Sequence, residues 1–182
     1  IDTIQKEIRG YNPVHRIYQG WGEPAGYNGY FVISYQNEIA EYGTFHGDTL
    51  FAGQTVMPKG AAIGAYIRFK ETPQPILVKV GSSFTDMEGA RQNLKAEIPH
   101  WDFEQTRNEL IDIWEKRLAQ ISIETPTVED KQLFYGALYR ASFLPHTFND
   151  VDGRYPSFAT GTPIRQLPEG ETYYDGYSMW DT

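Results

Sequence analysis

The sequence predicts an α+β chain, with part of an antiparallel β-sandwich first and helices after it. Two observations carry this. From Ile1 to roughly Phe84, short β-branched and aromatic runs of period two are punctuated by Gly, Pro and Asn. From Thr85 onward the apolar period lengthens to about 3.6 residues, the period of a helix. A third observation marks where the chemistry gathers: between Phe134 and Asp181, aromatics and carboxylates alternate at close spacing.

The elements follow in order. Gly29-Tyr30-Phe31-Val32-Ile33-Ser34-Tyr35 is β-branched and aromatic and reads as a strand. Ala65 to Phe69 and Ile76 to Val80 alternate, so each reads as a strand with one buried face. Gly26, Asn28, Gly53, Pro58, Gly60, Pro73 and Pro75 supply the turns between strands. Several short strands with such turns suggest an antiparallel sandwich.

Thr85 followed by Glu88 has the spacing of a capping box. Met87, Ala90, Leu94 and Ile98 then recur at helical steps, and Pro99 ends the run. A second helix opens at Asp102, with Gln105 three residues on. Phe103, Leu110, Trp114, Leu118 and Ile121 line one of its faces. Its other face, with Glu104, Arg107, Asp112, Glu115 and Lys116, reads as a solvated surface. Thr125-Pro126 suits a helix start, with Glu129 and Asp130 in the first turn. Leu133, Phe134, Ala137, Leu138, Ala141 and Leu144 make a stripe wide enough to pack on two sides. Asp152-Gly153 fits a two-residue hairpin turn, and Ala159 to Gly176 reads as loop.

Composition excludes several classes. The chain has 182 residues, 40% of them apolar, so it is long enough to bury a core. A net charge of -8 argues against nucleic acid or an anionic membrane as partner. No apolar run approaches the roughly 20 residues of a membrane helix, so membrane insertion is not expected. The first residues are polar and carry no signal-peptide core. Cysteine is absent, which removes disulfides, thiolate metal sites and a Cys nucleophile. Aromatics reach 15%, with 13 Tyr, which suits either sugar rings or an ordinary sheet surface.

The chemical candidates divide sharply. Asp150-Val151-Asp152-Gly153 invites a calcium-loop reading. Setting Asp150 and Asp152 at the third and fifth ligand positions of an EF-hand puts Phe148 at the first and Ala159 at the last, where oxygens are needed. A turn is the better reading. His15, His46, His100 and His146 lack metal-ligand spacing, and Ser83 and Ser178 lack an esterase elbow. Trp180-Asp181, with Tyr173, Tyr174, Asp175 and Tyr177 just before, has the residue types of a sugar site. There Asp accepts from hydroxyls and an aromatic plane covers the ring. The same residues also fit a helix start.

These stretches together resemble glycoside hydrolase family 92, the calcium-dependent, exo-acting α-mannosidases common in Bacteroidetes. The resemblance rests on Val78-Lys79-Val80-Gly81-Ser82-Ser83-Phe84, Ala90 and Asn93-Leu94. It continues through Phe134-Tyr135-Gly136-Ala137-Leu138-Tyr139, Asp150-Val151-Asp152-Gly153-Arg154-Tyr155 and Tyr177-Ser178-Met179-Trp180-Asp181-Thr182. It covers nearly the whole chain. It implies that residues 1–83 are the C-terminal part of an N-terminal β-sandwich domain. Residues 84–124 would be interdomain linker helices, and 125–182 the start of an (α/α)6 barrel.

The resemblance also implies removal of terminal α-linked mannose, α-1,2 linkages foremost, from N-glycans or mannans by calcium-assisted inverting hydrolysis. An inverting glycosidase needs an acid and a base about 6.5–9.5 Å apart. In the family both carboxylates and the Ca2+ ligands come from later in the barrel, so this chain is expected to be an internal fragment and inactive alone. Asp181 is then expected to bind hydroxyls of the terminal mannose, and Trp180 to shape the same pocket. The hairpin from Asp150 to Tyr155 is expected to support the pocket mouth. Mannose-containing glycans are the implied partners, and a periplasmic, secreted or cell-surface location the implied one. Two other readings stand beside it. One is a non-catalytic carbohydrate-binding β-sandwich module; the other is an interaction protein with an exposed aromatic surface. Self-association is expected if the Leu133 to Leu144 stripe is left uncovered.

Overall fold

The computed structural model describes residues 1–16, 23–157 and 164–176. In chain order the strands are β1 (Glu7–Arg16), β2 (Glu23–Tyr35), β3 (Ile39–His46), β4 (Thr49–Ala52), β5 (Ile63–Phe69) and β6 (Val78–Ser83). Three helices follow: α1 (Met87–Glu97), α2 (Phe103–Leu118) and α3 (Val128–Ala141). Four short strands follow these: β7 (His146–Thr147), β8 (Arg154–Pro156), β9 (Ile164–Gln166) and β10 (Tyr174–Asp175). This is the α+β order that the change of period predicts.

The first sheet has the order β1-β2-β6 and the second β4-β3-β5, both antiparallel. In the first, Tyr11 stands opposite Tyr30 and Ile33 opposite Val80. The sheets meet where Tyr35, on β2, packs edge-on against Phe69, on β5. Among the described residues, the buried apolar side chains include Val32, Tyr35, Ala90, Leu94 and Phe148. They place the core between the first sheet and α1, which lies across β6 and β2.

That placement corrects one expectation in its bounds and decides which face is covered. The Ile76 to Val80 alternation predicts a strand with one buried face. The strand starts at Val78, and Val80 is 58% exposed, while Gly81 and Ser83 are buried. The reason is the partner: Ala90 and Leu94 of α1 press on the face with the small residues. Alternation reveals that a strand has two faces but not which one another element will cover.

The helix starts are partly corrected too. Asp102 caps α2 by accepting from the Gln105 amide at 2.9 Å, where the sequence places the cap. For α1 the cap is Asp86, which accepts from the Gly89 amide at 2.7 Å, not Thr85. For α3 it is Thr127, not Thr125. Pro126 keeps the residue before it out of the helical region, so the helix starts beyond the proline. Thr127 Oγ1 then accepts from the Asp130 amide at 3.1 Å and donates to Asp130 Oδ2 at 2.7 Å.

α2 and α3 meet through aromatics. Trp114 lies 4.4 Å from Tyr139 and 5.7 Å from Phe143 by ring centroids. No residue of either helix is buried among the described residues, and Leu133 in the apolar stripe is 70% exposed. The stretch read as loop contains β9, paired with β8, and β10, paired with β7. Strands of two or three residues are too short to show a period. No helix among the described residues is long and apolar enough to cross a membrane.

Two polar contacts pin α1 to the first sheet. Arg91 donates to both carboxylate oxygens of buried Glu7, at 3.1 and 2.7 Å, and also pairs with Glu88. The Glu7 hydrogen bonds hold the Arg91 guanidinium well above its ordinary value. At the other end of α1, Lys79 Nζ donates to the carbonyls of Ile98 (2.8 Å) and His100 (3.3 Å) and lies over the Trp101 ring. Burial lowers the Lys79 pKa. A planar guanidinium that meets a carboxylate bidentately is the stronger tie, and its removal strands a buried anion. Arg91→Ala is therefore expected to cost about 3 kcal/mol in urea unfolding. An unchanged midpoint would contradict the pairing.

Candidate functional site

The site grows from the turn after α3. Asn149-Asp150 precedes Val151-Asp152-Gly153, a run of turn formers. The Gly153 amide donates to the Asp150 carbonyl at 2.9 Å, and the Asp150 amide to the Arg154 carbonyl at 2.8 Å. Gly153 has φ +82, a conformation glycine takes freely. The loop is thus the three-residue kind with glycine in the left-handed position, rather than the two-residue turn read from Asp152-Gly153.

Asp150 itself points into the protein and is 5% exposed. Its Oδ2 accepts from Ser83 Oγ at 2.7 Å and from Thr85 Oγ1. Its Oδ1 accepts from Asn93 Nδ2 at 2.8 Å. Asn93 also takes the Val151 amide on its own oxygen at 2.9 Å, so it grips the turn by side chain and backbone. A buried carboxylate needs such donors, because desolvation without them costs several kcal/mol. Ser83 closes β6, Thr85 precedes α1 and Asn93 lies on α1, so one carboxylate joins sheet, helix and hairpin. Gly89 makes room for it: a Cβ there would stand 2.8 Å from both Ser83 Oγ and Thr85 Oγ1, with Asp150 Oδ2 nearer still. This junction also explains the shifted cap of α1, because the Thr85 hydroxyl is already committed to Asp150.

A second set of charges runs alongside. Arg154 pairs with Asp86 through its guanidinium and donates from Nε to Asp152 Oδ2 at 2.6 Å. The Arg154 hydrogen bond holds the Asp86 carboxyl below its ordinary value, helped by the first amides of α1 and opposed by burial. Aromatics fill the outer side. Phe84 lies 5.1 Å from Phe148, Phe148 5.8 Å from Tyr173, and Tyr155 stacks on Tyr173 at 4.6 Å.

The structure therefore brings together the Gly81 to Phe84, Asn93 and Asp150 to Tyr155 stretches that the sequence singles out. Trp180 and Asp181, the residues expected to touch sugar, lie outside the described residues. Sequence reasoning missed the convergence of Ser83, Thr85 and Asn93 on Asp150, and the Asp86–Arg154 pair. The only signal was that Ser83, Asn93, Asp150 and Arg154 sit in the motif stretches, while Thr85 and Asp86 fall just after one of them. Their partners are 57 to 67 positions away in sequence for Asp150. Among the described residues, no group of three or more His, Asp or Glu is placed to hold a metal ion.

The junction joins the two ranges that known families match. Residues 1–83 match the glycosyl hydrolase family 92 N-terminal domain, and residues 89–182 match the glycosyl hydrolase family 92 catalytic domain. The chain belongs to glycosyl hydrolase family 92. Among solved structures it is similar to a family 92 inverting mannosidase of Bacteroides thetaiotaomicron, at 26% identity and a TM-score of 0.78, over 96% of this chain and 23% of that one. A second α-mannosidase of the family from the same organism aligns at 24% identity and a TM-score of 0.75, over 97% of this chain and 23% of that one. The family member ccman5 aligns at 22% and 0.80, over 98% and 23%. Below 25% identity these last two speak for the fold alone. The chain spans about a quarter of the length of the solved structures it matches. No curated protein matches it.

Asp86 gives this junction a pH signature. A carboxylate with a depressed folded-state pKa contributes stability above its unfolded value, near 3.8, and loses it as pH falls through the folded value. Its side chain is 45% exposed, so the contribution is about 1 kcal/mol or less. Asp86→Asn is expected to melt below wild type at neutral pH, with the gap closing below that ordinary value. A gap that persists unchanged into strong acid would contradict the ion pair.

Proposed function

We propose that the whole protein is an exo-acting α-mannosidase that removes terminal α-linked mannose from N-glycans or mannans, with α-1,2 linkages as the first candidate. The observation that carries this is the paired match, in chain order, to the N-terminal and catalytic domains of one glycosidase family. The 26% identity to an enzyme described as an inverting mannosidase supports water attack with inversion. A related family structure holds mannoimidazole, which supports a mannose-shaped pocket. The break between the two matched ranges supports a first boundary at residue 83; the linker helices over 84–124 and the catalytic-domain start at 125 rest on the resemblance alone, and the catalytic-domain match runs from 89.

The chain's own part is substrate binding. Asp181 accepts hydrogen bonds from hydroxyls of the terminal mannose, and Trp180 shapes the pocket beside it. An inverting pair of carboxylates about 6.5–9.5 Å apart would be supplied by barrel segments other than these. Calcium, which the family implies, would polarise the sugar hydroxyls. The described residues do not gather a set of ligands for it, so no step of this reading runs through the ion. The family also favours a periplasmic, secreted or cell-surface location.

In the full-length protein Asp181→Ala is expected to lower kcat/KM on an aryl α-mannoside by about a hundredfold or more, since a site built for hydroxyls loses heavily when a partner is removed. A value within about twofold of wild type would rule out the role of Asp181.

A further inference from the structure

We propose that Asn149 and Asp150 are paired positioning residues that set the segment leading to Trp180-Asp181 on the platform made by β6 and α1. The proposal rests on the substrate role given above to Asp181 and Trp180, and it adds residues that do not touch the sugar.

The two side chains face opposite ways along the chain. Asp150 reaches back to Ser83, Thr85 and Asn93. Asn149 reaches forward: its Oδ1 accepts from the Tyr173 amide at 2.9 Å, 24 residues on. Its Nδ2 donates to the Asp150 carbonyl at 2.9 Å, so the two residues are also tied to each other. The Phe148 amide donates to the Tyr173 carbonyl at 2.9 Å, which leaves both backbone polar groups of Tyr173 held by this turn. β10 then pairs with β7, Tyr174 opposite Thr147 and Asp175 opposite His146. Trp180 follows Asp175 by five positions in sequence.

An ordinary turn does not need this arrangement. The hairpin is already closed by its own backbone bonds between Asp150, Gly153 and Arg154. Neither the Asp150 carboxylate nor the Asn149 oxygen takes part in that closure. Both are spent on distant partners, one before the turn and one after it. A chain of three links results: platform to Asp150, Asp150 to Asn149, Asn149 to Tyr173. The described segment that leads toward the proposed sugar-binding carboxylate, residues 173–176, is held by this chain, and small misplacements weaken oriented contacts strongly.

Two variants of the full-length protein test this. Asn149→Ala removes the acceptor for the Tyr173 amide. Asn149→Asp keeps an acceptor oxygen there. Amide exchange at residues 173–176 is measured, with peptides of α1 as internal reference, and kcat and KM are measured on an aryl α-mannoside. Asn149→Ala is expected to speed exchange at 173–176 about tenfold and leave α1 unchanged. KM is expected to rise about tenfold with kcat within about threefold, and Asn149→Asp, which keeps the acceptor for Tyr173 but loses the bond to the Asp150 carbonyl, to recover most of both exchange protection and KM. Faster exchange with an unaltered KM would make the contact merely structural and overturn the proposal. Unaltered exchange would overturn it as well. A wild-type protein that turns over no mannoside would instead sink the family-based reading of function, and the exchange comparison would then decide the tether alone.

Discussion

One buried carboxylate organises this structure. Asp150 is almost fully withdrawn from water, and the side chains that hold it are neutral: Ser83, Thr85 and Asn93. A buried anion held by neutral donors is stable only while every donor stays in place. The arrangement therefore demands that the end of β6, the start of α1 and the hairpin after α3 keep one relative position. Gly89 meets the same demand by leaving the space the carboxylate occupies. The flanking ion pairs act in the same direction. Glu7–Arg91 fixes α1 to the sheet, and Asp86–Arg154 fixes the hairpin to the first turn of α1.

Function enters through that fixed position. The two family ranges meet between residues 83 and 89, where Ser83, Thr85 and Gly89 stand around the carboxylate. The hairpin it anchors carries Asn149 on one side and the Tyr155–Tyr173 stack on the other. Under the proposed function, a rigid junction instead of a free loop would carry the segment that leads toward Trp180-Asp181. Among the described residues, Val80 on β6 and Leu133 on α3 lie open, while nothing in α2 or α3 is buried.

Much of the fold was legible because it is local. The switch of period at Thr85, the cap at Asp102 and the stop before Pro99 each depend on residues within one helical turn of each other. What failed depends on distant partners. Thr85 and Asp86 are both good caps, and only an aspartate 65 positions downstream decides that Thr85 is occupied elsewhere. Val78 and Val80 look like core until Ala90 and Leu94 choose the opposite face of the strand. β9 and β10 are too short for any periodic signal. The site divides in the same way. Trp180 and Asp181 are readable as residue types, whereas the Asn149–Asp150 link is visible only once Ser83, Asn93 and Tyr173 stand beside it.

The most direct measurement is a double-mutant cycle between Asp150→Ala and Asn93→Ala, followed by urea unfolding of the full-length protein. The two side chains bond at 2.8 Å within one buried network. The account predicts a coupling of about 1–3 kcal/mol, with the double variant much less damaged than the sum of the single ones. Additive losses, with a coupling near zero, would mean that the carboxylate does not bind the hairpin to α1, and the central claim would fall.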